Sequence, residues 1–170
     1  FAQGAQLTNP GVRIFLRWSC VEENAMEELA RQGVTLISNR DIPTPDRIRE
    51  PWGLCRVEDG KFRALASPYW HWGNVYTNLV RSVFNGGWDA LSTHSAGKAV
   101  NYWWGMDSRA VDVLLREDLP VGVKQLVEIL RRGLKEGSIH PFQRPIRSQD
   151  GLLRNDGSRW FSPEEILHMD

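Results

Sequence analysis

The chain has 170 residues with 41% hydrophobic and 25% charged side chains, and its 21 Lys plus Arg balance 21 Asp plus Glu to a formal net charge of zero. These proportions match a folded globular chain, exclude disorder, collagen and coiled coil, and lack the basic balance of most nucleic-acid binders. A chain of this length buries roughly 70% of its unfolded surface, so a core is expected.

Residues 1–9 read as the tail of a helix, and a start at Phe1 in place of Met points to a longer protein around them. The opening FAQGAQLTNPG has neither the charged start nor the apolar stretch of a signal peptide, and no apolar run reaches the roughly 20 residues that span a bilayer. After the breaker Asn9-Pro10-Gly11, residues 12–18 (VRIFLRW) are apolar except for two arginines, which is the composition of a strand. Ser19 and Glu22 have capping-box spacing, and Ala25, Met26, Leu29 and Ala30 form a helical stripe that ends at Gly33. Residues 34–37 (VTLI) follow as a short apolar strand. Strand, helix and strand over residues 12–38 make one βαβ unit, for which a parallel pair with a right-handed crossover is expected.

Residues 39–52 contain three prolines and many charges, the signature of a surface loop. Residues 53–57 and 62–70 read as extended segments on either side of a turn at Glu58-Asp59-Gly60. Val75, Leu79, Val80, Val83 and Phe84 form a helical face that stops at Gly86-Gly87. A second amphipathic helix has Pro120 near its start, carries Val123, Leu126, Val127, Leu130 and Leu134, and ends at Gly137. Ser162-Pro163-Glu164-Glu165 opens a last helix with an N-cap, a first-turn proline and a capping-box glutamate. The architecture expected is α/β, a parallel sheet with flanking helices.

The four histidines, His71, His94, His140 and His168, have no His or Cys neighbour at zinc-ligand spacing, so no metal is expected. Cys20 and Cys55 can pair in an oxidising compartment or stay free. Phosphate-loop, dinucleotide and hydrolase-elbow patterns are lacking, and no cofactor is expected. No local arrangement supplies a nucleophile with a base or a pair of carboxylates in a cleft, so the chain reads as a binder and not as an enzyme.

The unusual number is 8 Trp against 6 Phe and 3 Tyr. Tryptophan suits core packing and equally suits stacking on a flat ligand. Ligands of open α/β sheets bind beyond the carboxyl ends of strands, which draws attention to Asp41, just past residues 34–37. Its carboxylate can accept hydrogen bonds from a ligand, or order the proline-rich turn, or pair with Arg40 or Arg47. Trp18 ends the preceding strand at the same edge, facing a cleft or packing inward. Arg56 can donate to the same ligand or be an ordinary solvated arginine. Trp70 and Trp72 point the same way in an extended chain, giving a stacking surface or an anchor for the helix that follows. For the cluster Tyr102-Trp103-Trp104, burial against the sheet is the expected use.

At these residues the chain resembles the basic membrane protein family of ABC-transporter substrate-binding lipoproteins, which includes purine nucleoside receptors. The matching stretches are Phe1-Ala2-Gln3-Gly4-Ala5 with Asn9-Pro10, the run Trp70-His71-Trp72-Gly73 with Tyr76 and Asn85-Gly86-Gly87-Trp88, and Gly137-Ser138-Ile139-His140-Pro141-Phe142. The tail matches most specifically, through Pro145-Ile146, Gln149-Asp150-Gly151 and Ser162-Pro163-Glu164-Glu165-Ile166 to Met169-Asp170. The resemblance covers nearly all of this chain and about the second half of a family member. It implies a type I periplasmic-binding-protein fold, two α/β lobes closing on a small ligand. Residues 1–88 would then be mainly the second lobe, and residues 89–170 the crossover and the C-terminal return to the hinge. It also implies a purine-like ligand, an ABC-transporter permease as partner, and an extracytoplasmic protein held by an N-terminal lipid anchor that lies outside this chain. Residues 39–57 depart from the nucleoside-receptor pattern, with a Pro- and Arg-rich loop and Gly53-Leu54-Cys55-Arg56 replacing a longer Gly-Asp stretch. Two other readings compete: a small α/β enzyme acting on a nucleoside or sugar, and a carbohydrate-binding module using exposed tryptophans.

Overall fold

A computed structural model of the chain describes residues 1–18, 20–21, 24–40, 51–87, 102–148 and 150–168. Its main sheet has four strands, β1 (Leu36–Ser38), β2 (Leu54–Glu58), β3 (Lys61–Trp70) and β4 (Val111–Leu115), hydrogen-bonded in that order. Every neighbouring pair is antiparallel. The β2–β3 hairpin follows from local chemistry: Asp59 and Gly60 both take positive φ, 49° and 72°, in a two-residue turn between the paired Glu58 and Lys61. That mirror-image turn matches the right-handed twist of the flanking strands, and Asp-Gly is among its favoured sequences. At the other end of β2, Gly53 has φ 78°, and a Cβ there would lie 2.4 Å from the Ala66 carbonyl oxygen. Only glycine fits, and its backbone ties residues 39–40 to the sheet through Asn39 N–H to Gly53 O and Gly53 N–H to Arg40 O, each 2.8 Å.

Among the described residues five helices accompany the sheet: α1 (Ala2–Thr8), α2 (Ala25–Arg31), α3 (Trp72–Phe84), α4 (Val121–Lys135) and α5 (Pro163–Leu167). Helix α2 buries Ala25 and Leu29 and is followed by Gly33 at φ 83°. Helix α4 is fastened to β4 by charge: Arg131 Nε and Lys135 Nζ each lie 2.9 Å from a different oxygen of Asp112, and Arg131 also donates to the Val113 carbonyl at 2.7 Å. A two-stranded ribbon, β5 (Ile146–Arg147) and β6 (Leu153–Asn155), precedes α5. The capping box at α5 is formed on both sides, with Glu165 N–H donating to Ser162 Oγ at 3.2 Å and Ser162 N–H to Glu165 Oε2 at 2.8 Å. Two guanidinium nitrogens of Arg159 hold the same carboxylate, which, with the Ser162 N–H, lowers its pKa to about 2.

Among the described residues the buried apolar ones are Ala25, Leu29, Ile37, Cys55, Ala110 and Phe161. Large apolar side chains stay outside this core: Phe84 is 85% exposed and Val121 70%. Cys20 and Cys55 are free thiols, the first exposed and the second buried, and burial pushes the Cys55 thiol up. Among the described residues no helix is long and apolar enough to cross a membrane, and no group of three His, Cys, Asp or Glu is placed to hold a metal.

Three expectations are corrected. The sheet is antiparallel where α/β winding calls for parallel strands, because β1 pairs with β2, with Leu36 opposite Arg56, and not with residues 12–18. Residues 12–18 form no strand, and among the described residues no segment pairs with them in a ladder. Helix α2 starts at Ala25, with Asn24 as N-cap and no side-chain cap bond. The expected cap residues Ser19 and Glu22 lie outside the described residues. The observed architecture is thus mixed α/β around an antiparallel sheet, and it does not display the parallel two-lobe fold that the resemblance implies.

Candidate functional site

The end of β3 and the start of α3 build an aromatic strip. Strand alternation sends Trp70 to one face while Tyr69 and His71 meet on the other, ring centroids 4.6 Å apart and edge to face. Trp72, the first residue of α3, stacks on Trp70 with centroids 5.7 Å apart and planes 19° from parallel. One helical turn later Tyr76 leans on Trp72 at 6.1 Å and 30°. The strip faces solvent: Trp70 is 38% exposed, Trp72 53% and Tyr76 61%. A ring inserted between two others needs about 7 Å, twice the contact distance of carbon atoms. The Trp70–Trp72 spacing therefore admits no ligand between the two rings, and a flat molecule can use only the outer faces.

The strip is held from the β4 side. Trp70 pairs with Val111, His71 N–H donates to Ala110 O at 2.9 Å, and Asn74 Nδ2 donates to Arg109 O at 3.1 Å. These bonds fix the entry of α3 against the turn Gly105 to Arg109. Beside it, Tyr102 and Trp104 pack with centroids 4.6 Å apart, and both are half-buried, while Trp103 is 49% exposed.

Of the five residues expected to bind ligand, Trp70 and Trp72 are brought together. Arg56 is not with them: it sits opposite Arg63, seven residues before Trp70 on β3, which is roughly 23 Å at strand spacing. There Arg56 lies 3.8 Å from Glu58, a carboxylate that Arg63 approaches at 3.1 Å, in an exposed cluster of charges. Trp18 is 64% exposed at the end of residues 12–18, which form no strand. Asp41 lies outside the described residues. Tyr76, named in the sequence only within the stretch that carries the resemblance, was not among the expected ligand residues, although its spacing of four from Trp72 on a helix was the signal for it.

Away from the strip, a concavity of about 770 Å³ lies between α1, α4 and residues 138–144, lined by Phe1, Leu7, Leu130, Leu134 and Phe142. His140 also borders it, with its ring stacked on Trp160 at 4.8 Å and 9°. Of the expected ligand residues, the four that are described, Trp18, Arg56, Trp70 and Trp72, do not line it.

No family model matches the chain. Among curated proteins it is similar to a purine-binding protein of Brucella abortus (strain 2308), with 28% identity over 165 residues, covering 89% of this chain and 45% of that protein. The chain thus spans about half the length of the curated relative it matches.

Proposed function

We propose that the chain is part of a solute-binding protein that captures a small purine-like ligand, a nucleoside or base, by noncovalent contact for delivery to an ABC-transporter permease. The observation that carries this reading is the likeness to a purine-binding protein over 89% of the chain. The exposed Trp70–Trp72–Tyr76 strip supplies chemical means, because a base stacked on an aromatic face gains about 1–3 kcal/mol. In this reading the ligand lies in a cleft to which this chain contributes one wall, and closure of a second lobe removes water from the stacked rings. In this reading Trp18 supplies a further aromatic contact and Asp41 a polar one. The protein works outside the cytoplasm, in a periplasm or on the outer face of a membrane, with a lipid holding the full-length chain. No bond of the ligand is made or broken.

The test is the ligand retained by the full-length protein on purification, identified by mass spectrometry after denaturation. A purine base or nucleoside, recovered in a near-stoichiometric amount, supports the reading. Recovery of a sugar, a peptide or a chemically altered purine would overturn it.

A further inference from the structure

Helix α3 carries Trp72 and Tyr76 of the aromatic strip, yet no core orients it. None of its 13 residues is buried, and its N-cap, His71, makes no side-chain cap bond. Most helices are steadied by a packed apolar face, so a helix without one takes its direction from whatever ties it down. Two hydrogen bonds at its start do so, one on each side of Trp72: His71 N–H donates to Ala110 O at 2.9 Å, and Asn74 Nδ2 donates to Arg109 O at 3.1 Å. Among the described residues the Asn74 bond is the only hydrogen bond from a side chain of α3 to another part of the fold. At 3.6 residues per turn Asn74 lies roughly 200° round the axis from both Trp72 and Tyr76. The clasp therefore grips the helix from behind and leaves the stacking face open.

The acceptor of that bond is rigidly held. Arg109 has φ 58°, and apart from Asp59 in the hairpin it is the only non-glycine among the described residues with positive φ. A bulky residue keeps the left-handed conformation only where its surroundings over-determine it. Here Arg109 N–H donates to Met106 O and Ala110 N–H to Gly105 O, both 3.1 Å, and Ser108 Oγ donates to Gly105 O at 2.9 Å. Rotation about N–Cα swings a residue's carbonyl relative to the chain before it, so the unusual φ directs the Arg109 carbonyl out of this turn and to Asn74.

We infer that Asn74 is a positioning residue of the aromatic strip: its bond to the Arg109 carbonyl sets the direction of α3 and so holds Trp72 in its stack on Trp70. Trp70 is fixed by the sheet, where it pairs with Val111, two residues beyond Arg109. Both rings thus answer to one short segment, residues 109–111. Asn74 acts on binding only through the rings, by having their faces in place before the ligand arrives. That consequence for the ligand rests on the proposed function above; the ring geometry does not.

Two stacked indoles couple their transition dipoles and give a far-ultraviolet circular dichroism couplet whose size follows their separation and mutual angle. In the full-length protein the difference between the native spectrum and that of Trp72→Phe isolates the couplet of this pair. Asn74→Asp keeps the size of the side chain and, ionised at neutral pH, has no donor for the Arg109 carbonyl. Its charge in the first turn of a helix is favourable, so the fold is kept. The couplet should shrink in Asn74→Asp and in Asn74→Ala, and inosine affinity should weaken roughly two- to tenfold, the worth of one hydrogen bond. An unchanged couplet in both variants, or a native protein with no couplet from this pair, overturns the positioning role. Failure of both variants to fold overturns it too, because Asn74 would then serve the whole fold. A couplet lost while inosine affinity holds supports the clasp and removes the strip as the seat of the purine.

Discussion

Residues 54–70 and residues 12–18 have similar appetite for β structure, yet only the first makes a ladder. The hairpin β2–β3 finds its partner two residues away, across Asp59-Gly60, and β4 adds to it with Trp70 opposite Val111. Residues 12–18 carry Ile14, Phe15, Leu16 and Trp18 at exposures of 40%, 54%, 64% and 64%, and among the described residues no strand pairs with them. A strand is stabilised by its cross-strand pairs, so composition counts only where topology delivers a neighbour. The same contrast separates the tryptophans among the ligand-binding expectations, though not Arg56, which lies in the laddered region far from them. Trp70 and Trp72 belong to the laddered region and stack on one another; Trp18 belongs to the other.

Gly53→Ala should break the laddered region most severely. The added methyl would collide with the Ala66 carbonyl and would impose positive φ on a residue with a side chain. A loss of about 3–4 kcal/mol is expected from strain and clash together, read from denaturant unfolding. A cost below 1 kcal/mol, on the order of a surface change, would show that the β2–β3 ladder is looser than described.

Next in size is Asp112→Asn, which cuts the tie between β4 and α4. Burial alone would raise the Asp112 pKa, but the hydrogen bonds from Lys135 and the Val113 N–H and the charges of Arg131 and Lys135 outweigh it and hold the carboxyl below its usual value. A depressed folded-state pKa contributes stability that is present above the unfolded value of about 3.9 and lost as the pH falls through the folded value. The substitution should cost about 1–2 kcal/mol at neutral pH, typical of lost hydrogen bonds to charged groups. The variant should also show a flatter decline of stability on acidification below about pH 4 than the native protein. Parallel acid limbs for the two proteins would remove Asp112 from the account.

Phe15→Ser should have the smallest effect, within about 0.5 kcal/mol, because its ring is half exposed and pairs with nothing in the described structure. A loss above about 2 kcal/mol, the scale of a buried large-to-small change, would mean that residues 12–18 are packed in solution, and the contrast between the two regions would collapse.

How far the sequence foretold the structure depended on the range of each signal. Asp59-Gly60, Ser162 with Glu165, and Pro120 with Gly137 act within a few residues, and the elements they punctuate stand where the pattern put them. Strand direction at β1 was not legible, because three residues, Leu36 to Ser38, have the same composition for either partner. β4 went unread because Asp112 interrupts its apolar run, and that carboxylate makes sense only once Arg131 and Lys135 arrive from α4. At the site, the two tryptophans were marked by their alternation. Arg109 had no mark at all, since left-handed backbone in a non-glycine is imposed by the bonds around it, from Gly105, Met106 and Asn74.

The central claim is that the aromatic strip at the β3–α3 junction binds a purine, and titration calorimetry of the full-length protein with inosine tests it most directly. Trp72→Ala and Trp70→Ala should each weaken binding by roughly 5- to 150-fold, the equivalent of about 1–3 kcal/mol of stacking, with little change in thermal stability for the more exposed Trp72. Inosine affinity within twofold of the native value in both variants would contradict the claim and place the purine elsewhere on the protein.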